Sequence, residues 1–326
     1  MHIPDHYLSP ATCALLGGVM VPVWAGSARR VQRQVARARM PLLGIGAAFA
    51  FLVMMFNVPA PGGTTVHAVG GTLIAALLGP WAACLSLSVA LLVQALLFGD
   101  GGILALGANC FNMACVIPFL GYFIYRFLAD RLRSELAALG LAAYVALNAA
   151  ALCAAIEFGI QPALAHDLAG LPIYCPYPLA LAIPGMLLPH LLVAGFVEAL
   201  FTVAVFAFIR RVAPDSIHSG ARIRAGYGLL AILAGLSPLG LLAAGTAWGE
   251  WSPAEIKQVL CGGHPLGFVP AGLAQGFSPR AALKDYAITG LPPWAGYLLS
   301  ALAGAALLVI AFKLLSRLKP DPAQPS

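Results

Sequence analysis

Apolar runs of helical length, separated by short polar breaks, make up most of this chain. Nine fall near residues 10–27, 40–57, 67–79, 80–98, 104–128, 138–163, 178–209, 225–246 and 293–314. They are rich in Ala, Leu and Gly and lack period-2 alternation, which predicts helices rather than a closed barrel. A helix rises about 1.5 Å per residue and needs ~20 residues to cross a ~30 Å hydrocarbon core. The third run is short by that measure, so an incomplete crossing is expected. The seventh is long and carries Pro184 and Pro189. It is expected to kink or to begin along the membrane surface.

Composition turns this pattern into a class. The 326 residues are 61% hydrophobic and 9% charged, against about 25% charged in soluble domains. Too little polar surface exists to cover a water-soluble globule, so lipid is the solvent. In lipid every backbone polar group must be satisfied within the protein, which again selects helices. The fold class is therefore an all-α polytopic membrane protein of about nine transmembrane helices.

Lys and Arg set the expected orientation. With the N-terminus outside, the inner loops hold Arg29, Arg30, Arg33, Arg37 and Arg39, then Arg126, Arg131 and Arg133. Arg210, Arg211, Arg222 and Arg224 follow, then Lys313, Arg317 and Lys319. That is 15 of the 18 basic residues, leaving only Lys257, Arg280 and Lys284 outside. The bias fits the positive-inside rule and puts the C-terminus in the cytoplasm. The net charge of +6 then needs no nucleic acid partner, because loops facing anionic lipid account for it. The first residues, MHIPDHYLS, lack the basic start and cleavage site of a signal peptide. The native N-terminus is therefore expected to stay, at the outer face.

The seven cysteines form no C-x-x-C pair. Cys13, Cys84, Cys110, Cys115 and Cys153 fall in apolar runs and read as small hydrophobes, while Cys175 and Cys261 fall in outer loops and could pair. No phosphate-binding G-x-x-x-x-G-K-[ST] loop, H-E-x-x-H helix or G-x-S-x-G elbow occurs. Enzymatic function is not expected, and any ATP hydrolysis must come from other subunits.

Histidines are the remaining chemistry. His2, His6, His67, His166 and His264 fall on the expected outer side; His190 and His218 do not. A free Met1 amine, the His2 amide nitrogen and the His2 Nδ1 can close adjacent chelate rings on one metal. The amide must lose its proton, which favours ions that accept square-planar nitrogen fields, notably Ni²⁺ and Cu²⁺. Taken alone, Met-His is commonplace. Ile3-Pro4 stiffens the segment, however, and Asp5 offers a carboxylate to orient an imidazole. In NVPAPGGTTVHAVGGT (57–72), Pro and Gly preclude a regular helix, so that backbone must be buried or line a cavity. His67 there is either a capping histidine or the fourth nitrogen of the chelate. Gln94, Asn109 and Asn112 put amides among apolar residues. Gln94 and Asn112 read as interhelical hydrogen bonders; for Asn109, support of a metal site is an equal reading.

Four segments carry a family resemblance: MHIPDHYLSP, PGGTTVHAVGGTL, LVQALLFGDGG and LGANCFNMA. Together and in this order they resemble the NikM/CbiM family, over roughly residues 1–212. The family comprises substrate-binding membrane components of energy-coupling factor transporters for nickel and cobalt. PGGTTVH looks like the nickel branch, where cobalt members show a Ser-rich version. The resemblance implies a metal held by four nitrogens: the Met1 amine, the His2 amide and imidazole, and the His67 imidazole. It also implies an EcfT-like transmembrane coupling subunit, separate ABC-type ATPase subunits and a bacterial plasma (inner) membrane location. Ni²⁺ is the expected ligand, with Co²⁺ as the alternative; no cofactor is expected. One departure is His6, where the family has Gly. If that backbone needs φ > 0, His is strained there but tolerated.

The expected domains are 1–212 for metal binding, a cytoplasmic linker at 213–224, and 225–326. The last resembles a NikN/PDGLE-type small component: two helices joined by a long outer loop, the small component assisting metal entry. Trp248, Glu250 and Trp251 read as interfacial anchors and His264 as a plain loop histidine. Glu157 and Glu198 are acids within apolar runs, which opens an alternative of another class: a proton-coupled carrier relaying through them. A membrane scaffold without transport is a third and weaker reading.

Overall fold

The first helix starts where its capping chemistry dictates. Ser9 accepts a hydrogen bond from the Thr12 amide (3.3 Å) and Pro10 occupies the first turn, so α1 runs Pro10–Gln34. In this computed structural model, residues 1–212, 221–261, 263–276 and 281–318 are described. Met40–Met54 forms α2, buried along nearly its whole length. A two-stranded hairpin follows, β1 (Val58–Ala60) against β2 (Thr64–Val66), with Pro59 opposite Thr65. An extended stretch then leads into α3, Gly71–Leu78.

The third apolar run is short, as expected. Its helix has only eight residues, or about 12 Å, and the hairpin precedes it. Prolines and glycines upstream of His67 remove helical hydrogen bonds and favour turns. Eight helices among the described residues are long and apolar enough to cross a membrane, not nine.

The remaining elements are regular but interrupted. α4 (Pro80–Val93) widens into a π turn at Gln94–Phe98. α5 (Leu106–Asn109), a π segment at Cys110–Val116 and α6 (Ile117–Ala129) form one continuous rod. α7 spans Glu135–Gly159 and α8 Gln161–Leu164. α9 (Leu179–Pro189), a π turn at His190–Ala194 and α10 (Gly195–Val212) form the seventh run. The break in that run follows Pro189, which has no N–H for the ladder.

The C-terminal part wraps α2. α11 begins at Ala221, before the expected start at 225, and ends at Leu236. A 3₁₀ turn, Ser237–Leu242, leads into a long loop. That loop contains the small pair β3 (Leu260–Cys261) and β4 (His264–Pro265), then α12 (Ala271–Gln275). α13, Pro293–Leu318, closes the chain against α2. Gly44 permits this close packing: a Cβ there would sit 3.0 Å from the Phe312 Cβ and 3.2 Å from the Val309 Cα. His218, Arg280 and Lys319 lie outside the described residues, as do most of the expected linker and the Cys261 side chain, so the suggested Cys175–Cys261 pairing lies outside them too; Cys175 itself is buried.

The two ends of the bundle differ in chemistry. At one end Arg30 lies 4.3 Å over the Trp81 ring, and Glu135 accepts from Tyr125 and Arg210. At the other, the N-terminal segment, the hairpin and the C-terminal loop interlock. Cys175 donates to the Tyr7 carbonyl, Leu283 to Leu97, and the Thr64 hydroxyl to Thr246.

Candidate metal centre

The N-terminal segment is folded back into the protein. Met1, His2 and Ile3 are all buried. Asn109 fixes them: its Oδ1 accepts from the Ile3 amide (2.8 Å) and its Nδ2 donates to the Ile3 carbonyl (3.0 Å). The Gly102 amide donates to the same carbonyl at 2.8 Å. Backbone and side chain thus clamp residue three from both sides, leaving residues one and two a single place to go.

That place is beside His67. The rings of His2 and His67 lie 5.0 Å apart, tilted by 34°. His67 Nδ1 donates to the Ala68 carbonyl at 3.0 Å, so in the neutral ring Nε2 carries the lone pair. Burial, and next the positive Met1 amine, push the His67 imidazole well below its ordinary range. It is therefore neutral, the form that binds metals. Both Nε2 atoms, of His2 and His67, are buried without a hydrogen-bond partner. Buried polar atoms normally have one, so the orphaned His67 Nε2 fits a cation better than a closed structural site.

Carboxylates face the other nitrogens. The Met1 amine donates to Glu250 Oε1 at 3.0 Å, and His2 Nδ1 lies 3.3 Å from Asp100 Oδ1. Asp100 is in turn positioned by Tyr286, whose hydroxyl donates to it at 2.5 Å, and by Gln94 at 3.3 Å. Burial and the Asp100 charge hold the Tyr286 phenol well above its usual range, so it stays a donor. His2, His67, Asp100, Glu250 and Tyr286 line a cleft of about 850 Å³ bounded also by Glu255. The Glu255 carboxylate is held below its usual range by hydrogen bonds from Ser252 and Thr246.

The structure brings Met1, His2, His67 and Asn109 together and moves Asp5 elsewhere. Asp5 does not orient an imidazole: it accepts from the Ile103 (3.1 Å) and Leu104 (2.8 Å) amides. Those amides open the turn before α5, where free N–H groups attract a carboxylate more strongly than a distant ring does. The carboxylate at His2 is Asp100 instead. Gln94 supports Asp100 rather than merely bridging helices, while Asn112 does bridge, donating to Glu157 at 2.8 Å. Glu198 takes the Val69 amide at 2.7 Å and the Gly70 amide at 3.0 Å, which fixes the stretch carrying His67.

Trp248 and Trp251 pack against other aromatic rings. They stack edge-on with each other and with Tyr177 at about 5.5 Å, and the Tyr7 hydroxyl donates to the Trp251 carbonyl at 2.7 Å. Glu250, between them, reaches the amine. His6 has φ +68°, the left-handed region expected from the glycine it replaces, and its ring lies over Gly276, where a Cβ would collide with it. His166 and His264 are exposed. Glu250 and Asp100 were missed as residues of the candidate site. Asp100 had a signal, lying within the FGDGG segment, whereas contacts across 249 residues leave none.

Family models match in two parts. Residues 2–216 match the cobalt uptake substrate-specific transmembrane region, CbiM, and residues 221–319 match the PDGLE domain. The probable fused nickel transport protein LarMN of Lactiplantibacillus plantarum is 54% identical, over 96% of this chain and 97% of that protein. The fused nickel transport protein NikMN of Rhodobacter capsulatus is 45% identical, over 98% of each. A solved transition metal transporter superposes with TM-score 0.64 at 52% identity, covering 70% of this chain and 99% of that one.

Proposed function

Because the chain belongs to the cobalt uptake substrate-specific transmembrane (CbiM) family, with a PDGLE domain joined behind it, we propose that it is the nickel-capturing subunit of an ATP-driven importer. It is a multi-pass membrane protein and a nickel or cobalt transport component of the CbiM/NikM type. The finer reading is a four-nitrogen chelate for Ni²⁺. Its donors are the Met1 amine, the His2 amide, His2 Nδ1 and His67 Nε2. One observation carries it: the buried amino terminus and His2 lie against a neutral His67 whose Nε2 has no partner. Such strong-field nitrogens favour a square-planar ion, and Co²⁺ is the alternative cargo. For the metal to bind, the Met1 ammonium would give up a proton to solvent as it leaves Glu250, and the His2 ring proton would sit on Nε2 as Nδ1 leaves Asp100.

The end carrying this site faces outside, and the end carrying the arginines faces the cytoplasm. Residues 1–212 bind metal; the part from about 225 onward closes the outer cleft and supplies Glu250. The chain contains no phosphate-binding loop, so separate ATPase subunits and an EcfT-like coupling subunit drive release, in a bacterial plasma membrane. The proton-carrier reading finds no support at Glu198, whose oxygens are spent on the Val69 and Gly70 amides.

Calorimetry on two variants tests the chelate. Adding residues before Met1, or replacing His67→Ala, should abolish the tight nickel binding of the chelate and its spectrum. Unchanged affinity in both would sink the site. The purified wild type should carry a yellow, diamagnetic Ni²⁺ species, and an octahedral spectrum would contradict the proposal.

A further inference from the structure

A third buried imidazole stands near His67 and the amino terminus. His190 is 3% exposed, and its Nδ1 donates to the Met186 carbonyl at 2.7 Å. The neutral ring therefore carries its lone pair on Nε2, directed away from Met186. That atom, too, is buried without a hydrogen-bond partner. The ring lies within electrostatic reach of the Met1 amine and of His67. His190 opens the π turn that packs on β1 and β2, directly before the His67 stretch. Glu198, two turns further along the same rod, bonds Val69 and Gly70. The rod carrying His190 and the stretch carrying His67 are thereby fixed to one another.

The unpartnered Nε2 atoms of His67 and His190 are one more than a planar four-nitrogen site uses, since His67 completes the plane. His190 lies eleven residues along from Leu179, about 16 Å down the rod toward its arginine end. We propose that the Nε2 atoms of His190 and His67 form a second, transient site for the same divalent transition metal. It accepts the ion as the N-terminal chelate comes apart. Two neutral imidazoles without a deprotonated amide hold such an ion less tightly than the chelate does, which suits a site that must release. This inference rests on the chelate reading.

The test uses the full chain with its N-terminus extended by a few residues, titrated with Ni²⁺ alone and followed by calorimetry and absorption. Weak residual binding with an imidazole signature is expected, and it should be lost in His190→Asn. Asparagine keeps a donor for the Met186 carbonyl but has no atom at Nε2, so the fold is preserved; His190→Gln, with a polar atom nearer Nε2, is the companion variant. In the unextended chain, His190→Asn should leave the chelate spectrum and affinity unchanged while nickel uptake with the complete transporter is lost. No residual binding in the extended chain overturns the second site and leaves the chelate standing. Residual binding that survives both His190 variants also overturns it. If the extended chain binds as tightly as the native one, the chelate itself fails, a separate outcome. Loss of the chelate spectrum in a folded His190→Asn chain would make His190 a primary ligand and would overturn the transient role.

Discussion

A buried imidazole that gives its one ring proton to a carbonyl keeps a lone pair on the opposite nitrogen, and His67 and His190 are both held this way. Their carbonyl partners choose the donor atom. Asn109 does comparable work for the N-terminus, satisfying both the amide and the carbonyl of Ile3. Asn109→Ala leaves these buried groups unpaired and should cost about 1–3 kcal/mol of stability. Nickel affinity should fall roughly 10–100-fold, as when a ligand's supporting partner is lost. Thermal unfolding and calorimetry on one preparation would read both; an unchanged affinity would show that Ile3 does not set the position of His2. Affinity should also depend on pH with a definite sign. Binding expels the His2 amide proton, so affinity rises with pH. His67 is already neutral because burial lowers it, so it adds nothing to that slope near neutral pH. Calorimetry at several pH values showing a flat affinity would exclude the amide as a ligand.

Among the elements, the interruptions matter more than the helices. Each of the three π segments brings a polar residue to the site or next to it. Gln94 opens one and reaches Asp100, Asn109 directly precedes another, and His190 opens the third. A wider turn redirects side chains out of the regular helical register, and π turns recur at functional sites. α3 depends on an element far away in sequence, because Glu198 takes the amides just ahead of its first turn. Glu198→Gln keeps one acceptor but turns an NH₂ toward a backbone N–H. Both fold stability and nickel affinity should drop, the former by about 1–3 kcal/mol. A carrier relaying protons through Glu198 predicts otherwise: transport lost, with metal binding intact. Measuring binding and uptake on this one variant separates the two.

For the whole molecule, the fused C-terminal part is built into the site rather than tethered beside it. Glu250 holds the amine, Trp251 receives Tyr7, and Tyr286 positions Asp100. Orientation belongs to this scale too. With the native cysteines replaced, Lys257→Cys should react with a membrane-impermeant maleimide on intact cells, and Arg33→Cys only after the membrane is opened. The reverse pattern would invert the proposed topology.

Much was legible in the chain, for identifiable reasons. Apolar runs of membrane length and the scarcity of charge settle the helical membrane class, because lipid leaves few other ways to satisfy a backbone. Met1, His2 and His67, which the structure brings together, could be named as candidates because a Met-His start and a Pro/Gly-rich loop are local features. The third run was legible as a short crossing and the Pro/Gly-rich stretch before it as non-helical, but the hairpin that pairs Val58 with Val66 was not, because hydropathy does not register strand pairing. Asp5 was assigned to an imidazole because it is near His2 in sequence, yet the free amides of Ile103 and Leu104 claim it. The place of Glu250 beside the amine came from tertiary structure alone. Sequence by itself determined which residues can bind and which segments lie in lipid, since those follow from side-chain chemistry and local pattern. Only the tertiary structure decided which nitrogens keep a free lone pair and which carboxylates face them, because those depend on partners brought together from distant parts of the chain.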